Sequence, residues 1–218
     1  MGDLDSATLW AITFRTVGVC LASLSIALAL GVPAGIWLGG RLFRGRRILL
    51  GLVNSGMGAP PVVIGLLVAQ LFYRSGPLGH LELWYSVEAM IVAQVMIALP
   101  LVVALVVAAV ASLDPDWQLQ VQTLGIPTPW RIALMLREIR LGLVAAVIAA
   151  LGGILSEVGA VMQTGGNIEG ETRVLTTSIL MYTRMGLFES AYALAAVLVG
   201  LMLVLAGFLT WVQYGERR

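Results

Sequence analysis

Lysine is absent from all 218 residues, so every basic side chain apart from a lone histidine is arginine. A Walker A loop needs the lysine that reaches the nucleotide phosphates, which excludes a P-loop ATPase within this chain. Cysteine occurs once, at Cys20, and histidine once, at His80. A single thiol forms no internal disulfide, and one imidazole without a cysteine set builds no zinc site. Charge is scarce too: charged residues make up 11% of the chain, against 59% hydrophobic residues and a mean hydropathy of +0.95. That balance lies far from soluble domains and places the chain in a lipid bilayer. With no nucleophile beside a base and no facing carboxylates, hydrolytic and redox catalysis lack their parts. No enzyme activity and no bound cofactor or metal are expected, which leaves transport or a scaffold role.

What is abundant is apolar run. Residues 16–40, 48–73, 89–113 and 190–215 are each long enough to cross a bilayer as a helix of about 20 residues. A further run, 141–156, is shorter and must borrow residues beyond Glu157 or before Arg140. The reading is an all-α integral membrane protein of five transmembrane helices, forming one membrane domain over residues 1–218. The first fourteen residues carry Asp3 and Asp5 and no basic residue, so they do not read as a cleavable signal peptide. Arg41, Arg44, Arg46, Arg47, Arg131, Arg137, Arg140, Arg217 and Arg218 fall on one side of a five-span chain, against Arg15, Arg74, Arg173 and Arg184 on the other. The richer side is cytoplasmic by the positive-inside rule, so the N-terminus is expected outside and the C-terminus inside.

Ala27, Gly31, Gly35 and Gly39 recur at every fourth position, a bulk-free helix face that lets another helix approach closely. Pro33 and Pro100 are expected to bend the first and third spans. Asn54, Ser55, Gly56, Gly58, Pro60 and Pro61 break the second, and broken backbone at membrane depth must be buried in protein or line a wet cavity. Gln70 and Gln94 read as interhelical hydrogen-bonding groups. The last run has no polar residue from 191 to 209 except Tyr192, so it should be peripheral and face lipid.

Two segments remain. Asp114-Pro115-Asp116 starts a short helix, in which Trp117, Leu119, Val121 and Leu124 give an apolar face that ends at Gly125; a second helix follows from about Trp130. Outside the membrane that face needs a lipid surface or a soluble partner. The other segment, Ser156-Glu157-Val158-Gly159-Ala160 followed by Gly165 to Thr177, sets a carboxylate and glycine-rich polar chain directly after an apolar run. Beyond it, residues 173–184 read as an amphipathic helix at the outer interface or dipping into the bundle.

Leu119-Gln120-Val121-Gln122-Thr123-Leu124-Gly125, with the apolar helix after it, resembles the Glu-Ala-Ala-x-x-x-Gly loop of ABC importer permeases of the type I fold. Leu119, Gln120 and Val121 stand in place of Glu-Ala-Ala, and the glycine matches. Residues 156–160 and 165–177 resemble the oxyanion branch of that family, closest to tungstate permeases, then molybdate and sulfate permeases. The resemblance covers essentially the whole chain. It implies a homodimer in the cytoplasmic (inner) membrane, fed by an extracytoplasmic substrate-binding protein. Two separate ATP-binding subunits, using ATP and magnesium, would couple through the loop at about 114–137, at Trp117, Leu119, Gln120, Val121, Leu124 and Gly125. It implies no nucleic-acid partner. An alternative class is a secondary transporter coupled to protons through Glu157, and a third is a non-transporting scaffold.

Within the second segment the residues take different parts. Two unit charges of one sign 4 Å apart repel by about 4 kcal/mol at an effective dielectric near 20, so an ionised Glu157 is a poor lining for an anion path. It is expected to accept hydrogen bonds from the broken backbone at Gly159 to Gly166, or to pair with an arginine or polar group, or to act as a protonated gate. Thr164, Gly165, Gly166, Asn167, Thr176 and Thr177 offer hydroxyl and backbone donors, weak enough to release a multiply charged ion. Arg173 could draw anions to the outer mouth or snorkel to headgroups.

Overall fold

The computed structural model describes residues 5–114 and 116–215. Asp3, Pro115, Arg217 and Arg218 lie outside the described residues. Helices dominate: α1 (Ser6–Gly40), α2 (Arg46–Met57), α3 (Pro61–Phe72), a 3-10 turn (Gly79–Leu81), α4 (Val87–Ala111), α5 (Trp117–Thr123), α6 (Thr128–Glu138), α7 (Arg140–Ser156), α8 (Gly159–Gly165), α9 (Leu175–Arg184) and α10 (Phe188–Gly215).

The frame is the seam between α1 and α4. A Cβ built on Gly31 would stand 2.7 Å from Val102 Cγ1, one on Gly35 2.6 Å from Val106 Cβ, and one on Gly39 2.9 Å from Val110 Cβ. The small-residue ladder therefore does what its spacing predicted, and each four-residue step on α1 meets a four-residue step on α4. Two turns earlier the same register brings Ser23 Oγ to donate to Gln94 Oε1 at 2.8 Å. Because the paired numbers rise together, α1 and α4 run in the same direction. The chain between them must return through the bundle. α7 runs the other way, since Gln94 Nε2 reaches Ile154 O at 3.5 Å while Gly142 packs on Ala109.

The return path is broken where the run from Asn54 to Pro61 predicted a break. α2 and α3 form a pair bent by 99° at the break after Met57, and α6 and α7 are bent by 67°. α2 ends at Met57 with Gly58 as its cap, and Pro60, with φ −61° and ψ 122°, is the extended residue from which α3 starts at Pro61. Among the described residues, three helices, α1, α4 and the 188–211 part of α10, are individually long and apolar enough to span a membrane; counting each bent pair as one span gives up to five.

Two expectations shift. The first span begins at Ser6 rather than residue 16. Thr13 and Thr16 bond back to Leu9 O and Ile12 O at 2.8 Å each and so ride within the helix. α1 contains Pro33 and α4 contains Pro100, each within one continuous helix. Gly56 abuts the Pro100 ring, which seats the end of α2 on the middle of α4. α10 is almost bare, with only 6% of its most apolar window buried, as a lipid-facing helix should be. Gln70 is exposed on α3 and takes no part in the interior.

Candidate functional site

The two broken helices meet. Gly65 of α3 lies so close to α8 that a Cβ on it would stand 2.5 Å from Ala160 Cα, and one on Gly159 would stand 2.6 Å from Val62 Cγ2. The break after α2 and the break after α7 are thus stacked on each other, with glycine at the contact because nothing larger fits. Glu157 occupies the second break. Its Oε1 accepts the Ala160 N–H at 2.8 Å, and its backbone carbonyl accepts from Thr176 Oγ1 at 3.1 Å. The carboxylate satisfies one of the N–H groups that a new helix leaves open at its start, and the carbonyl ties that start to α9. Among the described residues, this half-buried carboxyl group is held by backbone rather than by an arginine.

The chain after α8 is a polar turn pinned from several sides. Gly166 (φ 67°) and Asn167 (φ 53°) adopt left-handed conformations. At Gly166 the need for glycine is double, because the Tyr85 ring lies 2.8 Å from where a Cβ would project. Tyr85 in turn stacks on Trp84 with ring centroids 4.3 Å apart, and Trp84 meets Tyr73 edge-on at 4.8 Å. Thr172, 2% exposed, bridges the turn: its hydroxyl donates to Gly165 O and accepts the Ile168 N–H at 2.9 Å. From α1, Arg15 donates to the carbonyls of Arg173 and Gly170, and Thr16 Oγ1 accepts the Leu175 N–H at 2.9 Å. Arg173 pairs with Glu169 at 3.4 Å.

The predicted site residues therefore separate. Thr164 and Thr177 are fully buried, and their hydroxyls bond locally, to Ala160 O at 2.8 Å and to both the N–H and carbonyl of Val174 at 3.1 Å. Leu175 to Ser178 are buried, so α9 dips into the bundle by its first turn instead of lying along its surface. Gly165 is buried against Met90. Asn167 donates weakly to Met181 Sδ at 3.5 Å, while its Oδ1, Gln163 Oε1 and Arg173 Nε are buried without a hydrogen-bond partner among the described residues. Unmet groups of this kind each cost about 1–3 kcal/mol, and three of them lie between Gln163 and Arg173. Sequence reasoning missed Arg15, Thr16, Tyr85, Gln163 and Thr172. Only Arg15 carried a signal, an arginine inside an apolar helix.

The loop helix α5 divides its predicted apolar face. Val121 is 6% exposed and Trp117 packs on the main core, one turn apart and pointing inward. Leu119 and Leu124 are 62% and 74% exposed, with Gln120 beside them. Gly125 (φ 63°) ends the helix in a left-handed conformation. The outward face is therefore Leu119, Gln120 and Leu124, and Val121 belongs to the core.

Residues 31–217 match the family model described as "Binding-protein-dependent transport system inner membrane component". The chain is a permease of this family. It is an ABC importer permease subunit of the oxyanion type, located in the inner membrane. Over 208 residues it is 39% identical to a "Probable anion ABC transporter permease protein" of Haloferax volcanii, covering 93% of this chain and 90% of the relative. It is 38% identical to the "Tungstate uptake system permease protein TupB" of Peptoclostridium acidaminophilum, over 87% of this permease and 83% of that one. A sulfate permease of a Synechocystis species and a probable molybdenum permease of Haloferax volcanii match at 28% and 32%, each over 87% of this chain and 71% of theirs. The fold matches a chain in the inward-facing MetNI methionine ABC transporter, with a TM-score of 0.68 at 15% identity, covering 96% of this permease and 95% of that chain.

Proposed function

We propose that this permease moves tungstate, as the membrane subunit of an ATP-driven importer. The observation that carries the reading is the 38% identity to a tungstate permease along nearly the full chain, above the identities to the sulfate and molybdenum permeases. Two copies of the chain form the pathway, two ATP-binding subunits drive it, and an extracytoplasmic binding protein delivers the anion. The N-terminus lies outside and the C-terminus inside, a sidedness supported by the arginines clustered at Arg41–Arg47 and Arg131–Arg140. Residues 1–218 act as one membrane domain.

Tetrahedral oxyanions differ little in shape, and relatives named for sulfate and molybdenum share the same architecture, so molybdate or sulfate is the second reading. The stacked breaks at residues 58–60 and 157–158 are where backbone groups can open toward a passing anion. Gly165, Gly166, Asn167 and Thr176 are nearest to that role. Thr164 and Thr177 reach it only if their local bonds open. Glu157 holds the start of α8 in place beside the path.

The test is co-purification with candidate ATP-binding subunits, followed by ATP hydrolysis with binding protein and each of tungstate, molybdate and sulfate. The largest stimulation by tungstate supports the assignment; stimulation by sulfate or molybdate alone replaces it. Transport by the permease alone under a pH gradient would instead support a proton-coupled carrier.

A further inference from the structure

Where α1 leaves the bundle, a cleft of about 640 Å³ opens between α1 and the coupling region formed by α5 and α6. Its floor is apolar, with Ile36 from α1 and the buried Met135 from α6, Ile132 stands exposed at its edge, and Trp37, Trp117, Arg41 and Arg131 also line it. The level of this cleft can be placed along α1. Trp10 and Phe14 at one end and Trp37 at the other are exposed aromatics. Phe14 and Trp37 are about 35 Å apart at 1.5 Å per helical residue, close to the roughly 30 Å hydrocarbon core with its aromatic belts. Trp37 thus marks a membrane–water interface, and Arg41, one turn on, sits at headgroup level.

Polarity within the cleft is cationic. Arg131 Nε is buried with no hydrogen-bond partner among the described residues, and one of its terminal nitrogens makes only a long contact to Ile126 O at 3.4 Å. Among the described residues, no acidic side chain lines the cleft. Arg44, Arg46 and Arg47 follow directly on the same end of the chain. An apolar floor that opens at the interface beneath two guanidinium groups suits a molecule with hydrocarbon at one end and a negative phosphate at the other.

We propose that this cleft binds one anionic phospholipid, its phosphate held by Arg41 and Arg131 and an acyl chain lying against Ile36 and Ile132. The site is separate from the anion pathway, and it stands whichever oxyanion the permease carries. It gives α5 and α6, the elements read as the coupling region, a lipid-filled backing against α1.

The test uses the full-length permease in mild detergent, with phosphatidylglycerol and phosphatidylcholine supplied in equal amounts and retained lipid counted by native mass spectrometry. Two arginines at headgroup level predict about a thirtyfold preference for phosphatidylglycerol, with one molecule per chain. Arg41→Gln with Arg131→Gln should reduce the preference to less than about threefold while leaving the melting temperature near wild type. Ile36→Trp, which fills the floor and leaves both charges, should lower retention of either lipid. In the complex assembled with its ATP-binding subunits, a photoreactive phosphatidylglycerol should label peptides covering 32–41 and 128–136. Equal retention of the two lipids, an unchanged preference in the arginine variant, or displacement of the lipid by millimolar inorganic phosphate would overturn the proposal. So would absence of label in the assembled complex, which would mean that protein covers the cleft.

Discussion

Gly31→Ala tests the packing on which the bundle is built. The added methyl would stand 2.7 Å from Val102 Cγ1, 3.0 Å from Val102 Cβ and 3.3 Å from Leu99 Cδ1, whereas carbons rest at about 3.5–4.0 Å. Val102 is fully buried and has no room to turn away. The helices must therefore part by close to 1 Å, which also loosens Gly35 from Val106 and Gly39 from Val110 in the same seam. Overpacking of this degree costs about 1–3 kcal/mol. At about 2–4 °C per kcal/mol for a chain of this size, the melting temperature should fall by about 2–12 °C. The assay is tryptophan fluorescence of purified permease on heating. Val102→Ala removes the nearest atom, so the two substitutions together should be less damaging than their sum by at least about 0.5 kcal/mol. Gly18→Ala, on the same helix with nothing within 4 Å, should be neutral or stabilising by up to about 1 kcal/mol. If Gly31→Ala melts like Gly18→Ala, or the pair is additive, the close seam is wrong.

Other outcomes follow from the site. Glu157→Gln keeps an oxygen for the Ala160 N–H and gives up only the charge, so it should cost about 1 kcal/mol and retain transport. A variant that assembles and melts normally but no longer transports would make Glu157 a gate instead. Leu119→Asp with Leu124→Asp should leave the isolated permease folded and abolish co-purification with the ATP-binding subunit, whereas Val121→Asp should lower permease stability itself; unchanged co-purification in the first would remove α5 as the docking element. Thr16→Val strips the acceptor from the buried Leu175 N–H, a loss of about 1–3 kcal/mol. Hydrogen exchange at Leu175 should quicken, and an unaltered rate would deny the tie between α1 and α9.

What could be read from the chain beforehand was whatever is set by local pattern. The glycine ladder fixed a helix face, and its partners on α4 proved to follow the same four-residue step. The glycine and proline run at 56–61 signalled a break, and Gln94 signalled an interhelical bond. Contacts between distant residues were illegible. Nothing near Thr16 marks it as the acceptor for a residue 159 positions away, and nothing near Tyr85 marks it as the lid on Gly166. The 99° bend likewise depends on where α4 and α8 receive α2 and α3, and composition carries no angle. The inward turn of Val121 was missed because one apolar stripe on α5 serves two surfaces, the bundle and the outside. The threonines that looked free to meet an anion are the ones whose hydroxyls close local turns, a competition that residue type alone does not decide.

The central claim, ATP-driven import of tungstate through this permease, is tested most directly in proteoliposomes containing the permease, its ATP-binding subunit and its binding protein. Lumenal or external tungsten is then measured by elemental mass spectrometry with and without ATP. The account predicts tungsten movement that requires ATP and all three proteins and that exceeds molybdate and sulfate movement at equal concentration. Movement without ATP, or sulfate carried in preference to tungstate, would contradict it.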